Sequence, residues 1–293
     1  GAGARAGGDA RQGPRPVARA RDRRLMRILV NGQAGGTVDP LDRGLHYGDG
    51  LFETIAIVGG KARFLDWHLE RLAAGARRLG FPEIDRGVLT AEIMAAVDAP
   101  QAVVKLLLTR GLGRRGYQPP RPAAPTRIIA GFPWPELPAQ AAVAGVRLGW
   151  CRTRISRNPA LAGLKHLNRL EQVLARAEWD DEAMDEGLMQ DDRGQVISAT
   201  QANLFARIGG RWITPALDQC GVAGIMRRAF LHWSGKQADP VTERAVSATE
   251  ITGASALFLT NAVIGAWPVR EIGQCALAID PAVAGFNAWL ARQ

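Results

Sequence analysis

Lysine is almost missing from this 293-residue chain: Lys61, Lys105, Lys165 and Lys236 stand against 33 arginines. Cysteine is just as sparse. Cys151, Cys220 and Cys275 form no CxxC pair and no metal-ligand spacing, and an odd count argues against a disulfide framework. No apolar run approaches the ~18–20 residues of a membrane span, and no secretory apolar stretch stands near the start. These absences point to a soluble, cytoplasmic protein with no bound metal and no membrane partner. With 47% hydrophobic residues, the chain can bury one large core or two modest ones.

Acidic residues are also in the minority, and a net charge of +9 raises the question of nucleic acid. The charge is unevenly placed. Residues 1–25 hold seven arginines against two aspartates, so five of the nine net charges fall there. The remainder of the chain is only mildly basic, and no nucleic-acid partner is expected. The same segment is rich in Gly and Ala and has almost no large apolar residue before Leu25, too little apolar surface to offset its ordering entropy. It reads as a disordered extension, with a basic anchoring arm as the functional alternative, and the folded pattern starts at Met26.

From there strands and helices alternate. Residues 28–30, 52–58, 62–65, 103–109, 127–131 and 143–150 read as strands, with turns at Asn31-Gly32 and Gly59-Gly60. Asp66 is placed to cap a helix stopped by Gly80 and Pro82. Three prolines within residues 132–138 make a stiff connector. The expected organisation is an N-terminal domain over 26–133, a linker over 134–140 and a C-terminal domain over 141–293. In the latter, residues 167–179 read as a helix. Residues 186–190, 195–198, 202–207, 211–214 and 257–260 read as strands. Residues 221–233 read as a loop entering a helix. Ser247 and Glu250 have capping-box spacing, and Asp280-Pro281 opens a final helix.

Four segments can carry chemistry. Lys165 lies in Gly-Leu-Lys-His-Leu-Asn-Arg-Leu-Glu-Gln (163–172), where burial or the nearby Arg169 and His166 would depress its pKa and free the amine as a nucleophile. Lys105, within an apolar strand, is the competing lysine. Arg71 in Trp-His-Leu-Glu-Arg-Leu (67–72) suits a phosphate through its planar fork, or is a helical surface arginine beside Glu70. Gly-Val-Ala-Gly-Ile-Met-Arg (221–227) opens a helix whose free N–H groups make an anion site, or is an ordinary loop entry. Thr-Arg-Gly-Leu-Gly-Arg-Arg-Gly-Tyr (109–117) is a basic glycine-rich loop.

Together with residues 39–54 (Asp-Pro-Leu-Asp-Arg-Gly-Leu-His-Tyr-Gly-Asp-Gly-Leu-Phe-Glu-Thr), these segments resemble the aminodeoxychorismate lyases, a branch of the fold type IV pyridoxal-phosphate (PLP) enzymes that also include D-amino-acid and branched-chain aminotransferases. The resemblance implies an α/β (α+β) fold of two domains, a small N-terminal α/β domain and a larger barrel-like C-terminal domain with helices. It implies PLP joined to Lys165 as a Schiff base. The phosphate would lie on Arg71, on the backbone of Ile225 and Met226, and on the Asn261-Ala262 turn. Arg110, Arg115 and Tyr117 would face the substrate, 4-amino-4-deoxychorismate, in a folate-precursor reaction carried out by a homodimer. One position departs from the class. Ser198 stands where a glutamate usually faces the pyridine nitrogen, and a hydroxyl cannot hold a proton there as a carboxylate does. That departure disfavours the aminotransferase alternatives more than the lyase. A non-catalytic binding protein is the remaining alternative.

Overall fold

Nine residues of alternating and continuous apolar character around Ile55 and Ile57 build one of the two longest strands of the first of two sheets. The computed structural model describes residues 27–138, 140–180 and 184–293. The arginine-rich stretch 1–25, read above as a disordered extension, lies outside them. The first half runs β1 (Ile28–Val30), β2 (Gln33–Ala34), α1 (Arg43–Tyr47), β3 (Gly50–Val58), β4 (Lys61–Ala62), α2 (Leu65–Arg78), α3 (Arg86–Ala95), β5 (Gln101–Thr109) and β6 (Thr126–Pro133). Its strands pair in the order β2-β1-β6-β5-β3-β4, antiparallel throughout. The apolar stripe of α2 (Leu69, Leu72, Ala76) and Leu89 and Ile93 of α3 cover Ile55, Ile57, Val104, Leu106 and Ile129 on one face. Each of these Leu, Ile and Val side chains removed from water contributes roughly 1.5–3 kcal/mol.

The second half runs α4 (Ala141–Ala144), β7 (Val146–Trp150), α5 (Leu170–Arg176), β8 (Glu186–Gln190), β9 (Val196–Ala199), β10 (Asn203–Ile208), β11 (Arg211–Pro215), α6 (Ile225–Lys236), β12 (Thr242–Arg244), α7 (Ala248–Thr252), β13 (Ala256–Asn261), β14 (Gly265–Ile272), β15 (Cys275–Ala276) and α8 (Pro281–Leu290). Its mixed sheet has the order β12-β11-β10-β13-β14-β7-β8-β9, with β15 on β14. Although β9 ends that order, the Ala199 N–H donates to Ala202 O just before β10. The sheet therefore curls back towards itself as a half-barrel. Helices α6 and α8 seal its outside with an aromatic cluster in which Phe205 stacks on Phe258 at 4.8 Å and Phe230 meets Phe286 edge-on. Among the described residues no helix is long and apolar enough to cross a membrane.

Several local expectations shift. Asp66 does not cap α2: the helix starts at Leu65 behind Phe64, whose φ is 53°, and Asp66 occupies the first turn. The strand expected over 143–150 begins at Val146, because 141–144 forms the short α4. The helix expected over 167–179 is only Leu170–Arg176. Residues 165–167 are instead extended against β3: the Phe52 N–H donates to Lys165 O and the Leu167 N–H to Gly50 O. β4 covers only Ile57 and Val58, so the first half of β3 has an open edge that this segment takes. That backbone pairing ties the second half of the chain to the first at Lys165.

Candidate active site

The pairing on β3 aims Lys165 into a cavity of about 730 Å³ between the two sheets. Its walls come from Phe52 and Thr54 on β3, Arg71 on α2, one face of α5, Ser198 at β9, the start of α6 and the turn after β13. The connector read as a linker is also a wall, through Phe132, Pro133, Pro135 and Leu137. The Lys165 ammonium lies 4.1 Å from the centre of the Phe52 ring. Burial, and then the Arg71 guanidinium, push its pKa down from 10.5 to about 7, so a large share of the amine is free at neutral pH. Lys105 projects over the same ring at 5.5 Å but is exposed and lies outside the cavity.

One end of the cavity is an anion cradle. Helix α6 starts at Ile225 behind Gly224 with no side-chain cap, so the first N–H groups, those of Ile225 and Met226 among them, have no intrahelical acceptor. Gly224 closes against Asn203: a Cβ there would sit 2.0 Å from Asn203 Oδ1, while Asn203 Nδ2 donates to Val222 O. Gly163, at φ 79°, lets the lysine loop run beside this one, exchanging bonds with Gly221 and Ala223. The turn after β13 is fixed by Asn261 Oδ1, which accepts from the Val263 and Ile264 N–H groups, and Ala262 lines the cavity beside it.

Arg71 completes the cradle, held by a partner that sequence inspection missed. Its Nε donates to Glu53 Oε1 at 2.8 Å, its Nη2 to Glu53 Oε2 at 2.5 Å and its Nη1 to Ala223 O at 2.8 Å. Two of the five guanidinium N–H groups remain for a ligand. His68 Nδ1 lies 2.6 Å from Glu53 Oε2. Burial lowers the His68 pKa, so the ring is neutral and donates through Nδ1. Burial opposes ionisation of Glu53, but the Arg71 charge and these hydrogen bonds win and bring its pKa down to about 2. The spacing of His68 and Arg71, one helical turn apart, was visible in the sequence; the acceptor on β3 was not.

The residues expected on the substrate side lie elsewhere. Arg110 pairs with Asp49, covers the Phe81 ring at 4.2 Å and donates to Leu79 O and Gly80 O. It fastens the end of α2 to the 39–54 segment, and it does not line the cavity. Arg115 is exposed, and Tyr117 is 86% exposed and packs edge-on against Tyr47. Neither reaches the cavity of its own chain. Ser198 does line it, and among the described residues no Asp or Glu does.

An amine-bearing lysine with a depressed pKa, opposite a helix N-terminus, a backbone turn and an oriented arginine, fits an aldehyde cofactor carrying a phosphate. Fold and site together define a fold type IV PLP enzyme. The chain belongs to the class IV amino-transferase family, whose pattern matches residues 50–272. It is 35% identical over 252 residues to the aminodeoxychorismate lyase of Vibrio harveyi, covering 86% of this chain and 93% of that one. The crystal structure of 4-amino-4-deoxychorismate lyase from Pseudomonas aeruginosa superposes with a TM-score of 0.87 at 43% identity, over 91% of this chain and 98% of that one. A D-alanine aminotransferase of Bacillus licheniformis is 26% identical over 84% of this chain and 88% of its own length.

Proposed function

We propose that this protein is an aminodeoxychorismate lyase, converting 4-amino-4-deoxychorismate to 4-aminobenzoate and pyruvate, a step that supplies a folate precursor. The observation that carries the reading is the pairing, in one cavity, of the Lys165 amine with Ser198 in place of a carboxylate. When bound, PLP supplies an electron sink for the carbon that carries the substrate amine. Arg71, the Ile225 and Met226 N–H groups and the Asn261-Ala262 turn would hold its phosphate. Lys165 would anchor its aldehyde end, and Ser198, on the cavity wall, would supply no charge to its ring nitrogen.

Lys165, its pKa brought down to about 7, is then placed to move a proton within the cavity. Its free amine takes the proton from the ring carbon bearing the substrate nitrogen. The ammonium so formed returns a proton to the departing enolpyruvyl group, which leaves as pyruvate while the ring becomes aromatic. Phe132, Pro133 and Leu137 cover this path with apolar surface and limit water. Aromatisation drives the elimination, so a weaker electron sink at Ser198 suffices for a lyase where it would slow transamination. Incubation with D-alanine or leucine and 2-oxoglutarate tests the reading: slow or absent keto-acid exchange supports it, and rapid exchange sinks it.

The same reading includes a cytoplasmic homodimer. Leu41 and Leu45 near α1, Leu112 in the glycine-rich loop, and Leu170, Val173 and Leu174 on α5 are exposed apolar side chains. They belong to neighbouring elements, since Asn168 Nδ2 donates to Gly48 O and Asp42 bridges Leu112. An apolar face of this kind suits a second copy. The buried free thiols of Cys151 and Cys220 suit a reducing compartment.

A further inference from the structure

The phosphate cradle accounts for Arg71 but not for a second arginine on the cavity wall. Arg169 stands at the start of α5 and lines the cavity with Gln172 and Val173, on the helix face that also carries Arg176. Its Nη2 contacts the His166 ring nitrogens at 2.5 and 3.0 Å. Burial pushes the His166 pKa down to about 4, so that ring is neutral and leaves the guanidinium charge unbalanced. Among the described residues Arg169 has no ion pair. Its Nε is buried with no hydrogen-bond partner, and no bond is formed at Nη1. The Glu171 carboxylate next in sequence accepts from the Ser156 N–H instead. Burial lowers the Arg169 pKa, and the nearby Glu171 charge, which makes no ion pair with it, offsets that only in part. A guanidinium in that state, on a wall with no carboxylate among the described residues, is a site for an external carboxylate.

We propose that Arg169, supported by His166, is the subsite that binds a carboxylate of the substrate. The proposal rests on the lyase reading for the identity of that carboxylate: the substrate and its product 4-aminobenzoate each carry one on the ring. Arg169 sits on α5, and the phosphate is held from α2, α6 and the turn after β13. The two anions of the loaded site therefore have separate arginines. His166 holds the guanidinium plane from one side by accepting from Nη2, which leaves Nη1 for the ligand.

Calorimetry on the PLP-loaded protein tests this with 4-aminobenzoate and with aniline, which lacks the carboxylate. The wild type is expected to prefer 4-aminobenzoate by roughly ten- to hundredfold, the range of a charge-assisted bond. R169Q should lose that preference, and R169K should keep part of it through its charge. Both variants should keep the wild-type PLP affinity, which a merely structural role would not spare; the visible band should persist in both, and only in R169Q should its pH dependence move, because the Arg169 charge helps to lower the Lys165 pKa. In turnover, R169Q should raise KM for 4-amino-4-deoxychorismate at least tenfold with a smaller change in kcat. Unchanged discrimination in R169Q, or unchanged KM, overturns the proposal. If the wild type turns over no 4-amino-4-deoxychorismate yet shows carboxylate preference that R169Q abolishes, the subsite stands and the lyase reading falls.

Discussion

Glu53 and Arg71 form a two-point ion pair, Nε to Oε1 at 2.8 Å and Nη2 to Oε2 at 2.5 Å, with the carboxylate 1% exposed. The pair fixes the plane of the guanidinium at the phosphate cradle before any ligand arrives. Glu53→Gln keeps the shape and removes the charge. It leaves Arg71 half-buried without its counter-ion, at a cost of about 3 kcal/mol in stability and at least a tenfold weaker PLP affinity. Equilibrium unfolding and a PLP titration measure the two effects. The pH dependence has a definite sign. The Glu53 pKa falls from 4.5 unfolded to about 2 folded, so its stabilisation is complete above about pH 4.5 and is lost as pH falls towards 2. Its size is on the order of 3 kcal/mol at 1.36 kcal/mol per pKa unit. Glu53→Gln should flatten the acid limb of the stability profile by that amount.

Lys165→Met should remove both the visible band of the lysine-bound cofactor and turnover, and should raise the Tm of the cofactor-free protein. The lysine pKa falls from 10.5 to about 7 on folding. The unfolded chain therefore binds more protons between pH 7 and 10.5, and stability rises with pH across that window. In Lys165→Met that slope disappears, and at pH 7 the Tm exceeds that of the wild type by a few degrees. Calorimetric scans of both cofactor-free proteins from pH 6 to 10 measure it; a Tm at or below the wild-type value would count against the buried-amine account.

Gly224→Ala tests the cradle by sterics alone. Its φ of −68° accommodates alanine, but the new Cβ would lie 2.0 Å from Asn203 Oδ1. Either Asn203 releases Val222 O or the start of α6 shifts. PLP affinity should fall roughly ten- to hundredfold, read by equilibrium titration, with the secondary structure unchanged by circular dichroism.

Much of this frame was legible in the sequence, and the failures have physical causes. The capping box of Ser247 and Glu250 and the Asp280-Pro281 helix start are local hydrogen-bond patterns, and both form as read. The lysine segment was found from its motif, but its extended conformation was not, because the edge of β3 that it pairs with is more than a hundred residues away. Helix α3 escaped notice: a glycine lies in its first turn, and its cap is Asp85, whose side chain accepts from Val88 N. Strand β14 escaped because Pro268 lies inside it, opposite Phe258. The loop of Arg110 points to a substrate role, and nothing in the local sequence signals that Asp49, Leu79 and Gly80 hold its guanidinium away from the cavity. Charge partners fixed by tertiary folding carry no spacing rule.

Ser198→Glu should move the enzyme towards transamination. A carboxylate at this cavity position keeps the pyridine nitrogen protonated and deepens the electron sink. Half-reaction rates with D-alanine or leucine, followed by the loss of the visible band, should rise at least tenfold. The wild-type ratio of elimination to exchange should fall. No gain in exchange would mean that position 198 does not face the ring nitrogen.

The central claim is that the Lys165 amine carries an elimination that produces an aromatic amine. Its most direct test is the product balance of the purified, PLP-loaded protein with 4-amino-4-deoxychorismate, 4-aminobenzoate followed by chromatography and pyruvate by a coupled assay. The account predicts equal amounts of both, with no dependence on an added keto acid and no turnover in Lys165→Met. Substrate left intact, or amino-group transfer that requires 2-oxoglutarate, would contradict it.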